Sequence, residues 1–207
     1  MRRLAVMFFA AVLLSACSSS IPRHPAVFTP TERPTAPPAT ASGQQAGGSP
    51  AASVDTSAWA TLAPQGEGFS VRMPGQATST TGPIKTPAGN ATMTSWTYVD
   101  GNGRFFVVDR VTAPKGALAG SPAQEALDQV SATIAGTLAG AKISSQSDIT
   151  LSGHSGRAVT FGNATTVVPC EFFVVGDDVY IVLLGHAAGS SDDALVQAYF
   201  ASFQLTV

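Results

Sequence analysis

Gly153-His154-Ser155-Gly156-Arg157 places a possible base beside a possible nucleophile. A hydrolase elbow needs G-x-S-x-G on a turn from strand to helix. Here arginine stands at the last glycine position, strands are expected on both sides, and adjacent residues rarely aim their reactive atoms at each other. The segment reads as a glycine-flanked turn. His186 lies shortly before Asp192 and Asp193 and could act with them as a base or metal ligand. No second His or Cys falls at zincin or zinc-finger spacing, and Ser190-Ser191-Asp192-Asp193 is explained by a helix cap with an acidic first turn. Asp177 and Asp178 offer oxygens to calcium, which takes about six to eight ligands. No calcium-loop pattern surrounds them, so a solvated turn is expected. Cys170 sits in the apolar stretch Val167-Val168-Pro169-Cys170 with no nearby cation to activate it. It is expected to be a buried, inert thiol, or else half of an intermolecular disulfide. No catalytic, cofactor-binding or metal residue is assigned. The opposing reading, an enzyme or a metal-dependent sensor, would rest on His154, His186 and the Asp177-Asp178 turn.

The elements around these residues follow from apolar period and turn residues. Phe69 to Met73 alternates before Pro74-Gly75, and strands are expected at Thr78 to Lys85, Ala91 to Val99 and Arg104 to Thr112. The turns are Thr86 to Asn90 and Asp100-Gly101-Asn102-Gly103, which makes an antiparallel meander. Ser121 should cap a helix with Pro122 at its first position and Gln124 completing a capping box. Leu127, Val130, Ile134 and Leu138 give that helix one apolar stripe. Strands are then expected at Lys142 to Leu151, Arg157 to Gly162, Thr165 to Val175 and Val179 to Gly185, with Gly153 to Gly156 and Gly176 to Asp178 as turns. A closing helix should present Leu195, Tyr199 and Phe203 at a spacing of four. Pro169 suggests that its strand lies at an edge or carries a bulge, an edge that could recruit a partner strand. Trp59, Trp96, Phe105, Phe106 and Tyr180 are expected in core and hairpin packing. Strands, helix, strands, helix is the order of an α+β domain with a central antiparallel sheet covered by helices.

Length and charge narrow the function. The chain has 207 residues, 44% of them hydrophobic and 12% charged, with a formal net charge of −2. Without Arg2 and Arg3 there remain nine basic and thirteen acidic residues, a net of −4, which disfavours nucleic acid as a partner. Those two arginines open a leader: Leu4 to Ala16 is an unbroken apolar run ending in small residues. As a helix it would reach about 20 Å, short of a hydrocarbon core of about 30 Å. From Ser18 to about Thr56 the composition turns to Pro, Ala, Thr, Ser, Gly and Gln, with Pro22, Pro25, Pro30, Pro34, Pro37, Pro38 and Pro50 spread through it. Such a segment cannot repay its ordering entropy and is expected to be a disordered tether, on which His24 is a spacer residue. The expected division is therefore a signal peptide at 1–16, a tether at 17–57 and one α+β domain at 58–207.

Leu14-Ser15-Ala16-Cys17 resembles the bacterial lipobox, in which the cysteine receives a thioether-linked lipid and becomes the first residue after cleavage. The resemblance implies two or three acyl chains on Cys17. Each buried methylene contributes about 0.8 kcal/mol, so such an anchor is effectively permanent. It also implies an envelope location facing the periplasm, with Ser18 favouring an outer membrane where the cell has two. The segments F-S-V-R-M-P-G, W-T-Y, I-T-L-S-G-H-S-G-R-A-V and F-F-V-V-G-D-D-V-Y-I-V with the terminal A-S-F resemble the PsbP-like and DcrB-like superfamily from about Trp59 to Val207. That resemblance implies an α/β/α sandwich and a noncatalytic accessory or partner-binding role, and it supplies no active-site residues or cofactor. The expectation is a lipid-anchored envelope protein whose head binds a protein partner or supports an assembly. The alternatives are a small-ligand or metal-binding sensor, with a pocket between helix and sheet, and an envelope hydrolase.

Overall fold

Two antiparallel ribbons, each made of strands adjacent in sequence, meet edge to edge in this protein. The computed structural model describes residues 54–86, 89–118, 122–138 and 140–206. The first ribbon is β3 (Thr78–Thr86), β4 (Gly89–Val99) and β5 (Phe105–Thr112), entered after the short strands β1 (Ala60–Leu62) and β2 (Phe69–Met73). Helix α1 (Ala123–Thr137) leads to the second ribbon, β6 (Lys142–Leu151), β7 (His154–Gly162), β8 (Thr166–Val175) and β9 (Asp178–Ala187). Helix α2 (Asp193–Ala201) and β10 (Gln204–Leu205) close the chain. Pairing of β5 with β9 joins the ribbons into one seven-stranded sheet of order β3-β4-β5-β9-β8-β7-β6. The result is a sheet-dominated α+β fold.

The fold departs from several of these expectations. The strand Phe69–Met73 does not join the meander; it lies between β1 and β10 in a separate three-stranded sheet. Its alternation is still its cause, since Phe69, Val71 and Met73 are buried and Ser70 and Arg72 are not. The turn expected over Gly153 to Gly156 is tighter: Leu151 pairs with His154, and the loop is only Ser152-Gly153. Both loop residues have positive φ, at 51° and 82°, the backbone of a type I′ hairpin. Pro169 is not on an edge strand. β8 lies between β7 and β9, and the ladder to β9 has no registered pair between Val167 and Cys170, so the missing N–H falls where the pairing is interrupted.

The helices differ at their ends. Ser121, the expected cap of α1, lies outside the described residues, and Gln124 spends its side-chain oxygen on Arg157. Asp192 precedes α2 without capping it, because that carboxylate is held by Ser190 and Arg104 instead. Phe203 falls beyond α2, yet it is buried against Phe69 and Phe173. The stripe on α1 is as expected: Leu127 is fully buried, and Val130, Ile134 and Leu138 pack around it.

Two cores lie on the two faces of the large sheet. One joins Phe69, Val71, Met73, Trp96, Phe106, Val108, Tyr180 and Tyr199. The other gathers Val159, Phe161, Val168, Cys170, Phe172 and Ile181 under Leu127 of α1. α1 packs over β7 and β8. Alternation along the strands therefore continues this second face across β9, β5 and β4 through Leu183, Val107, Asp109, Ser95, Thr97 and Met93, all of them only partly buried.

Candidate functional site

His154 and Ser155 are consecutive on β7, so their side chains leave opposite faces of the sheet and cannot act on each other. The rest of that motif has structural duties. Gly156 lies against the Phe173 ring, where an added Cβ would stand 2.4 Å from a ring carbon. Arg157 is buried and reaches from the sheet to α1, pairing with Asp128, with Asp148 at 3.1 Å and with the Gln124 amide oxygen. The Asp128 hydrogen bond is the main cause of its raised pKa.

Sequence reasoning put His186 near Asp192, and the fold does bring them together. His186 Nδ1 is 2.8 Å from Ser190 Oγ and 3.8 Å from Asp192 Oδ2. The Ser190 hydroxyl donates to Asp192 at 2.5 Å, so its oxygen is the acceptor toward the imidazole. That polarity is the reverse of what activates a serine, where the imidazole takes the hydroxyl proton. Arg104 extends the chain, donating to Asp192 at 2.9 Å and to Asp100 at 2.6 Å. The Ser190 hydrogen bond holds the Asp192 carboxyl below its usual range, with Arg104 adding to it. Asp193 begins α2. The network pins the turn after β9 to the β4–β5 turn through the Arg104–Asp192 pair, a long-range contact that the sequence did not signal.

Asp177 and Asp178 are likewise committed. Asp177 accepts the backbone N–H groups of Gly116 at 2.7 Å and Leu118 at 3.3 Å. Asp178 accepts from Arg110 at 2.9 Å and from Thr112 at 2.6 Å. Among the described residues no three His, Cys, Asp or Glu side chains converge as a metal site. Cys170 is a buried free thiol; burial pushes its pKa well up, and the charges of Asp109 and Glu171 add to the effect. Cys17 and the preceding Leu14, Ser15 and Ala16 lie outside the described residues.

One buried acid was not foreseen. Asp109 stands in mid-sheet on β5, opposite Ser95 on β4 and Ile181 on β9. The residue keeps some exposure, but its Oδ1 is sealed from solvent and meets no donor. Burial raises its pKa from 3.8 to about 6, against a smaller opposing effect of the Ser95 hydroxyl. The neighbouring cation cannot help: Arg110 faces the other side of the sheet, bound to Glu67 and Asp178 at 2.9 Å each and 6.0 Å from the Tyr180 ring centroid. The signal in the sequence was the lone acid inside Phe105-Phe106-Val107-Val108-Asp109, an apolar run where a carboxylate has no ordinary place.

A second feature is an open cleft of about 460 Å³ between the N-terminal segment, the small sheet and the end of α2. Trp59, Val71 and Ala198 supply apolar walls, and Arg72 supplies charge. The Arg72 guanidinium donates to the carbonyl and hydroxyl of Thr56, and it has no carboxylate partner among the described residues.

No family model matches this chain, and no curated protein matches it. Among solved structures it is similar to a protein of unknown function from Pseudomonas aeruginosa, at 14% identity and a TM-score of 0.35, over 63% of this chain and 83% of that one. It is also similar to the cyanobacterial PsbP of Synechocystis, at 11% identity and a TM-score of 0.49, over 71% of this chain and 92% of that one.

Proposed function

We propose that the chain is a lipid-anchored bacterial envelope protein, fastened through Cys17, whose head binds a protein partner without catalysing a reaction. In this reading the large sheet is the middle layer of a PsbP-like sandwich, with one helical layer left thin. The observation that carries it is the strip of β4, β5 and β9 beside α1, where Ser95, Thr97, Val107, Asp109 and Leu183 share one partly exposed face. A sheet face of mixed apolar and hydroxyl groups suits a protein surface better than a small substrate. The leader and the lipobox pattern at Leu14-Ser15-Ala16-Cys17 support the anchor, and the composition of residues 18–56 supports a tether that lets the head reach its partner.

The test is a photoreactive amino acid placed at Thr97, with Asn102 as the control position, in cells of the native host. One discrete crosslinked partner from Thr97 and none from Asn102 is expected. No product from the strip, or loss of function in a folded His154→Ala/His186→Ala variant, would overturn the reading. Mass spectrometry of the mature chain should find acyl chains on Cys17; a free thiol there would end the anchoring half.

A second reading rests on the Arg72 cleft: a guanidinium with no carboxylate partner among the described residues, in a cleft that an indole also lines, suits a small amphiphile with a carboxylate or phosphate head. Native mass spectrometry of the purified chain would show such a ligand retained, and an empty protein would count against it.

A further inference from the structure

Strand β2 divides its side chains between the core and the cleft. Phe69, Val71 and Met73 turn into the core, which leaves Ser70 and Arg72 on the other face. Register places Thr61 of β1 opposite Arg72, and Gln204 of β10 opposite Ser70. Four polar side chains therefore share the floor of the cleft of about 460 Å³. Those of Thr61, Ser70 and Gln204 have no hydrogen-bond partner among the described residues. Arg72 gives its two terminal nitrogens to Thr56 and still has N–H groups to spare. It is the one charged group among the described residues that line the cleft, and Trp59, Ala198 and Ala201 supply the apolar wall.

We propose that this cleft binds an N-acylated amino acid by its carboxylate end, the chemistry shared by the C-terminal residue of a polypeptide and by a free acylated amino acid. The carboxylate lies on Arg72 and the Thr61 hydroxyl, the amide on Gln204, and the side chain against Trp59 and Ala198. The inference rests on the Arg72 reading above and names its ligand. A single guanidinium matches a monoanion; the second charge of a phosphate monoester would find no cation in the lining, in a chain whose formal net charge is already −2. The Gln204 carboxamide offers one donor group and one acceptor, the complement of an amide's carbonyl and N–H. The apolar wall is short, one indole and two alanines. It covers a compact side chain, whereas a long alkyl tail would lie on the hydroxyls and leave them unpaired.

The purified full chain, isotopically labelled, is titrated by NMR with acetyl-Ala-Leu bearing a free carboxylate. Parallel titrations use its C-terminal amide, acetyl-leucine, n-dodecanoate and n-dodecyl phosphate. The free acid should give saturable shifts at Trp59, Arg72 and Gln204, and bind at least about tenfold more tightly than the amide. Arg72→Gln should erase that difference. Gln204→Ala, at an exposed position, should weaken the free acid about threefold or more with the rest of the spectrum unchanged. Equal binding of acid and amide overturns the proposal, as does a Gln204→Ala variant that binds the acid like its parent. Binding of dodecanoate or dodecyl phosphate without the acylated amino acid overturns it too, yet leaves the Arg72 reading standing. A cleft that answers to none of the probes sinks both. With the acid bound as expected, tighter binding of acetyl-Ala-Leu than of acetyl-leucine assigns a polypeptide terminus, and equal binding a free acylated amino acid.

Discussion

Replacing Asp109 by Asn should make this protein more stable, although it alters a residue in mid-sheet. The folded-state pKa of about 6 lies above the ordinary 3.8, a difference of about two units. Each unit corresponds to about 1.4 kcal/mol, so the ionised carboxylate costs the fold about 3 kcal/mol at neutral pH. The sign follows from proton binding. Between pH 3.8 and 6 the folded chain holds a proton that the unfolded chain has released, so the contribution of Asp109 is best at low pH and is lost as pH rises through 6. Asn keeps the shape and removes the charge, while its own amide stays imperfectly paired, so a net gain of about 2 kcal/mol is expected at pH 7.5. Urea denaturation at pH 7.5 and 5.0 measures it, since the gain should shrink by about 1.4 kcal/mol at the lower pH. Glu171 is also raised by burial and will tilt both curves alike, so the difference between parent and variant isolates Asp109. A variant no more stable than its parent at pH 7.5, or a gap independent of pH, would refute the account of a desolvated carboxylate with one unpaired oxygen.

Three further outcomes are expected from the same coordinates. Arg157 is buried while Asp128 and Asp148 are mostly exposed, with side chains 68% and 62% accessible. The double variant Asp128→Asn/Asp148→Asn should therefore cost more, about 3 kcal/mol, than Arg157→Met, because only the former strands a buried charge; urea midpoints will rank them. At Gly185 an added Cβ would stand 1.8 Å from the Phe105 ring, so Gly185→Ala should cost about 3 kcal/mol or more, and thermal unfolding should show Phe105→Leu recovering part of it. At Ser152, where φ is 51°, Asn should add about 0.5 kcal/mol and Val should destabilise, read as opposite shifts of the melting temperature.

Local pattern made most of the large sheet legible, because strands bounded by turn residues and pairing with their sequence neighbours need no distant information. The stripe of Leu127, Val130, Ile134 and Leu138 foretold which side of α1 is buried for the same reason. What stayed hidden was set at a distance. Phe69–Met73 looks like any alternating strand, and only its pairing with β1 and with β10 at the chain's end removes it from the meander. Pro169 signalled a gap in hydrogen bonding but could not say whether the gap was an edge or an interrupted ladder. Among the candidate residues, the aspartates at 177 and 178 read as turn residues, whereas their use in fastening residues 112 to 118 is tertiary. Asp109 was visible as an acid in an apolar run, but its cost depends on which face of β5 it leaves and on Arg110 leaving the other.

The join of β5 to β9 also bears on how the chain acquires its shape. Each ribbon closes through loops of a few residues, whereas Phe105 and Gly185 meet across about eighty intervening residues. Within the large sheet, loop-closure entropy is therefore concentrated at one seam, and such non-local contacts slow folding. Truncating the Val107–Leu183 pair should slow refolding, while weakening the β6–β7 hairpin should chiefly hasten unfolding. Until the seam closes, both ribbons expose an unpaired strand edge, the form in which a newly made chain is most open to chaperones and to self-association.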